Sequence, residues 1–125
     1  MSVRLKRAYE PPAPSDGYRV LIDRLWPRGV ARANAHLDEW AKELAPSAEL
    51  RRWFGHDPAR FTEFRRRYLG ELAAREDELG ELRRRARGGT VTLVYGARDT
   101  EHNDAVVLAE LLRAAALPTN GGEER

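Results

Sequence analysis

The segment D-G-Y-R-V-L-I-D-R-L-W-P-R-G, Asp16 to Gly29, narrows the folds open to this chain more than any other. Val20-Leu21-Ile22 is a continuous apolar run of strand length, and a run without polar alternation belongs to a strand covered on both faces, as in a parallel sheet. The strand, read as Tyr18 to Ile22, runs straight into Asp23, Arg24, Trp26 and Arg28. A carboxylate, two guanidiniums and an indole at a strand's exit, punctuated by Pro27 and Gly29, are poor packing material. They suit the ligand-binding edge of an α/β sheet.

The rest of the chain supplies partners for that strand. Val3 to Arg7 alternates apolar with basic residues and reads as a first strand. Tyr9 to Gly17, with prolines at 11, 12 and 14, is a rigid polar connection. Leu37, Trp40, Ala41 and Leu44 have helical spacing, which predicts a helix over 37–44, broken at Pro46. Ser47 caps a short helix from Ala48 to Phe54, ended by Gly55, and Asp57-Pro58 starts the next. Phe61, Phe64, Tyr68, Leu69 and Leu72 form one stripe, resumed at Leu79, Leu82 and Ala86 after the acidic run 76–78. The pattern fits two helices or one bent helix, ending at Gly88-Gly89. Thr90 to Tyr95 is a third strand, and Gly96 to Thr100 leads into a final helix from His102 to Ala116.

Strand, helical excursion, strand and helix predict an α/β fold: a small, mostly parallel central sheet flanked by helices, in a single domain over residues 1–117. The Gly/Glu-rich tail, 118–125, is expected to be disordered. Parallel neighbours end on one edge, so the segments 23–28 and 95–103 should converge there.

Composition removes several classes of chemistry. The 125 residues contain no cysteine, which excludes disulfides, thiolate nucleophiles and cysteine-based zinc sites. His36, His56 and His102 lack metal-ligand spacing, so no metal is expected, and no Gly-rich cofactor or phosphate loop appears. No apolar run approaches the ~20 residues of a membrane span, and the N-terminus lacks a signal-peptide core; the expected compartment is cytoplasmic. Basic and acidic residues nearly balance, 22 against 20, and they interleave. The triplets Arg65-Arg66-Arg67 and Arg83-Arg84-Arg85 therefore read as solvated helix faces with acidic i,i+4 partners, and nucleic acid is not favoured.

The second polar cluster has its own chemistry. A Gly-containing turn before a helix exposes backbone N–H groups where the macrodipole favours anions. Arg98 can bind a phosphate or carboxylate bidentately. Asp99 or Thr100 can cap the helix, His102 is a candidate acid/base group, and Asn103 a candidate ligand contact or cap. Asp23 either orients such a site or pairs with a buried arginine. Trp26 and Trp40 read as packing residues.

The runs D-R-L-W-P-R-G at Asp23 to Gly29, L-D-E-W-A-K-E-L-A-P-S at Leu37 to Ser47, F-R-R-R-Y-L-G-E-L at Phe64 to Leu72 and L-V-Y-G-A-R-D-T-E-H-N-D-A-V-V-L-A-E-L-L at Leu93 to Leu112 resemble the family called domain of unknown function 488, in its YeaO-like branch. The resemblance covers about Val3 to Leu117. It implies a small bacterial cytosolic α/β protein and supplies no reaction. A more distant branch of that family carries a cysteine at the position of Gly96 and a Cys-His-Arg run near Glu101, His102 and Asn103. Only His102 matches here, so thiol chemistry does not carry over. Asp23 and Arg24 match the strand-end Asp/Arg pattern of the wider family.

The expected function is binding of an anionic small molecule, bearing phosphate or carboxylate, at the sheet's C-terminal edge. Arg24, Arg28, Tyr95, Arg98 and Asn103 would be its contacts, with Asp23, Asp99 and His102 as the groups available for acid/base work. No cofactor is implied, and the oligomeric state is open. The alternatives are a nucleic-acid-associated protein using its arginine faces, and a non-enzymatic interaction module with an apolar patch around Trp26, Trp40 and Trp53.

Overall fold

Strand β1 (Ser2–Arg7) and strand β2 (Tyr18–Leu21) flank β4 (Thr90–Tyr95) in the computed structural model, which describes residues 2–115. The tail reading lies outside those residues. A two-residue edge strand, β3 (Glu39–Trp40), completes a four-stranded sheet of order β1-β4-β2-β3, parallel throughout. β4 is rich in β-branched residues and is central, as its apolar sequence requires. The register aligns Leu5 and Val20 with Leu93, and Arg19 with Thr92.

Alternation assigns the two faces. Val3, Val20, Ile22, Val91, Leu93 and Tyr95 join one core cluster with residues of four helices: α2 (Ala48–Phe54), α3 (Phe61–Leu72), α4 (Glu76–Gly88) and α5 (Asp104–Ala115). The expected stripe forms, with Phe64, Tyr68 and Leu72 buried, Phe61 and Leu69 partly so, and Phe64 stacked on Phe54 at 4.2 Å between ring centres. α3 and α4 are two separate helices, and α2 carries the predicted Ser47 cap, whose hydroxyl accepts the Leu50 N–H at 3.1 Å.

The opposite face carries Lys6, Arg19, Leu21, Thr92 and Val94 and is covered by irregular chain around Trp26, Val30, Ala35 and Leu37; a single turn, α1 (Arg32–Ala35), interrupts it. Buried polar groups on this face are paired. Asp16 accepts from Lys6 Nζ at 3.1 Å, from Arg19 at 2.7 Å and from the Ala13 N–H at 3.0 Å. Burial alone would raise the Asp16 carboxyl, but the Ala13 N–H, Lys6 and Arg19 outweigh it and hold it below its ordinary value. The buried arginine pairs with Asp16, not Asp23. Gly17 follows at φ 64°, and a Cβ there would lie 2.3 Å from the Thr90 carbonyl oxygen, so only glycine lets the chain enter β2 so close to β4.

Two expected elements differ. The helix predicted over 37–44 is instead β3 followed by a 3-10 turn, Lys42–Leu44. The Asp38 N–H goes to Arg19 O and the Ala41 N–H to Leu21 O, at 2.9 and 2.8 Å, so the open edge of β2 takes the donors a helix would have used. Ala41 and Leu44 are buried as the helical spacing implied, but from a strand exit and a 3-10 turn. The last helix starts at Asp104, not His102, because Asn103 is its cap: Asn103 Oδ1 accepts the Val106 N–H at 2.9 Å. Among the described residues no helix is long and apolar enough to cross a membrane, and no cluster of three or more His, Asp or Glu could hold a metal.

Candidate functional site

The C-terminal ends of β2 and β4 meet as the parallel sheet requires. The Ile22 N–H donates to Val94 O at 3.2 Å, and one residue later Asp23 Oδ2 accepts the Gly96 N–H at 2.8 Å. That bond joins the two polar segments the sequence placed together. Gly96 allows the approach, since a Cβ there would lie 3.3 Å from Asp23 Oδ2. Arg7 braces the same turn from β1, donating to Ala97 O at 2.8 Å and Gly96 O at 3.3 Å.

The segment after β2 is braced by its indoles. Trp26 and Trp40 meet edge to face at 5.3 Å; Trp26 Nε1 donates to Val30 O and Trp40 Nε1 to Asp23 O, each at 2.7 Å. Arg32 lies over Trp26 and Lys42 over Trp40. These tryptophans are therefore partly buried structural residues, and the exposed large hydrophobics among the described residues are Tyr9 (48%) and Leu25 (59%).

Tyr9 and Leu25 stand at a cavity of about 260 Å³ at this edge. Its polar lining is Asp23, Arg24, Arg28, Arg51, His56 and Asp104, with Asn103 beside them; Trp26, Phe54 and Phe64 supply apolar wall. Arg24 Nε donates to Pro46 O at 3.3 Å, and Tyr9 donates its hydroxyl to Arg28 O at 2.9 Å. Arg51 Nε is buried and has no hydrogen-bond partner. Among the described residues, none of these three arginines has a carboxylate within ion-pair distance.

Asp23 and Asp104 form a carboxyl pair in the same cavity. Burial is the main influence on each and raises both. Asp104 is held well above the ordinary carboxylate range by burial, then by the charge of Asp23 and its hydrogen bond to Asp23. The two carboxyls therefore titrate as one unit that favours a shared proton, while the Asp104 bond, the Gly96 N–H and nearby His56 partly offset the rise at Asp23. Asp104 Oδ1 also accepts the Ala105 N–H at 2.9 Å.

Of the residues expected from sequence, Asp23, Arg24, Arg28 and Asn103 line the cavity. Tyr95 is buried at the end of β4, outside the lining, where burial raises its phenol. Arg98 is exposed and does not line the cavity. Asp99 closes the turn before α5: its Oδ1 accepts the Glu101 and His102 N–H groups, and its Oδ2 lies 2.9 Å from His102 Nδ1. The Glu101 N–H and His102 hold its carboxyl low. His102 packs edge-on against Phe61 at 5.2 Å, outside the lining. Sequence reasoning missed Arg51, His56 and Asp104. The signal for Asp104 was an acidic residue just inside the last helix; for Arg51 nothing in the local pattern separates it from Arg52.

The arginine triplets are engaged elsewhere. Arg65 meets Glu110, Arg66 and Arg67 share Glu63, Arg83 meets Glu76, and Arg84 and Arg85 share Glu81.

A family model described as the inactive DUF488-N3 subclade matches residues 2–125. The chain is 46% identical over 114 residues to the "Uncharacterized protein YeaO" of Escherichia coli K12, covering 91% of this chain and 99% of that protein. It is 44% identical over 110 residues to the "Uncharacterized protein Rv3073c" of Mycobacterium tuberculosis H37Rv, covering 88% and 92%. No solved structure matches the chain. The match of that family model over residues 2–125, with 44–46% identity to relatives covered almost end to end, places this chain in the DUF488 family, within its inactive N3 subclade.

Proposed function

We propose that this protein binds a small molecule bearing a phosphate or carboxylate in the cavity at the C-terminal edge of the sheet, and that it acts by binding, not by catalysis. The observation that carries the reading is the convergence on one cavity of Arg24, Arg28 and Arg51, all without carboxylate partners among the described residues. Three guanidiniums leave the cavity positive even if both aspartates ionise; Arg24 and Arg28 are exposed at its mouth, and the buried Arg51 Nε is the donor that binds an oxyanion more strongly than one in water does. The cavity's size suits a metabolite, not a polymer. The binding role is favoured by the family description, by glycine at position 96 where the resemblance puts a cysteine in another branch, and by the placement of the Asp99–His102 pair outside the lining.

A thermal-shift screen of phosphorylated metabolites, simple carboxylates and inorganic phosphate tests this. A ligand that binds only the native state stabilises it by about 2.7 kcal/mol at a hundredfold excess over Kd. The expected result is saturable stabilisation, lost in the Arg28→Ala/Arg51→Ala double variant. Equal stabilisation of the double variant, or none in the wild type, refutes the reading.

A further inference from the structure

We propose that the ligand is zwitterionic: beside its anionic group it carries an ammonium that the Asp23–Asp104 pair receives. This rests on the anion-binding reading above and names the other half of the molecule. Both aspartates line the cavity that holds Arg24, Arg28 and Arg51. Among the described residues, neither aspartate has a cation within ion-pair distance, and the arginines have no carboxylate there. The cavity therefore holds acidic and basic groups that do not satisfy each other.

A purely anionic ligand would settle one set and crowd the other. In so small a space its charge would face the carboxyl pair, and like charges at short range repel. A ligand with both charges neutralises both sets. The hydrogen bonding also fits. Asp23 Oδ2 is taken by the Gly96 N–H and Asp104 Oδ1 by the Ala105 N–H, which leaves Asp23 Oδ1 as an acceptor for a ligand donor. A ligand ammonium brings three N–H donors. It can replace the proton shared by the two carboxyls, and that proton leaves to solvent as both become carboxylates. His56, in the same lining, and Tyr68 and Tyr95, within electrostatic reach of Asp104, are the other titratable groups that face the pair. Phe54, Phe64 and Trp26 are apolar wall suited to the carbon spacer between the two charges.

Calorimetry on the full chain with matched probes separates the two claims. β-Alanine and 4-aminobutanoate carry a carboxylate and an ammonium; propionate and butanoate carry the carboxylate alone. Titrations in two buffers of different ionisation enthalpy count protons released. The monocarboxylates report any response of His56 to the anion, so the difference isolates the carboxyl pair. An amino acid should bind on the order of tenfold tighter than its matched acid, with extra proton release. Both differences should vanish in Asp23→Asn and Asp104→Asn. If the acids bind as well as the amino acids, the zwitterion is refuted and anion binding stands; if no probe binds, both fail. Should a variant not fold, the wild-type affinity ratio and proton count decide the matter on their own.

Discussion

Asp104→Asn should make this protein more stable at neutral pH, although it removes a native side chain from a helix start. Burial first, and then the charge and hydrogen bond of Asp23, hold the Asp104 carboxyl well above its ordinary value. An unfolded aspartate titrates near 3.9. Between that value and the folded one, the native state binds a proton the unfolded chain does not, so stability falls as pH rises through the window. Each unit of elevation costs about 1.4 kcal/mol once pH has passed the folded value. Asparagine keeps the Oδ1 acceptor used by the Ala105 N–H and an N–H donor for Asp23, and it does not titrate. The gap between variant and wild type should therefore be near zero at about pH 4 and exceed ~1 kcal/mol by about pH 8. For a domain of this size that is roughly 3–6 °C in Tm per kcal/mol. Urea melts of both proteins across that range measure it, and subtracting them cancels histidine titration. A variant less stable at every pH, or a gap independent of pH, refutes the shared-proton pair.

Other expectations follow from the same contacts. Asp16→Ala leaves the buried Arg19 guanidinium without its 2.7 Å partner and should cost about 3–5 kcal/mol by urea melts. Because the Asp16 carboxyl is held low, the wild-type benefit is present above about pH 4 and is lost as pH falls through the folded value. Gly17→Ala combines a φ of 64° with a 2.3 Å approach to Thr90 O, and should destabilise by more than about 2 kcal/mol. Arg51→Ala should weaken phosphate binding on the order of tenfold or more, while Arg98→Ala leaves it within about twofold, read by calorimetry.

What could be read from the sequence divides along physical lines. The strand at Thr90–Tyr95 and the helix from Ala48 to Phe54 matched to the residue, because their apolar runs and caps act locally. Parallel pairing of β2 with β4 then forced Asp23 beside Gly96. Residues 37–44 were not legible, since the buried Ala41 and Leu44 have the spacing of a helix, and the free edge of β2 decided for a strand exit and a 3-10 turn. Arg98 was expected in the site by its neighbourhood, yet the turn closed by Asp99 leaves it exposed. Asp104 acquires its character from burial and then from Asp23, a contact between distant segments that no local pattern encodes.

The central claim is that Arg24, Arg28 and Arg51 receive an anion at one cavity. Two-dimensional NMR of the arginine Nε–Hε groups and the Gly96 amide during a titration with inorganic phosphate tests it most directly. The account predicts saturable shifts at those three arginines and at Gly96 with one common Kd, and none at Arg65, Arg66 or Arg84. Shifts confined to the arginines of α3 and α4, or growing linearly without saturation at every arginine, would contradict it.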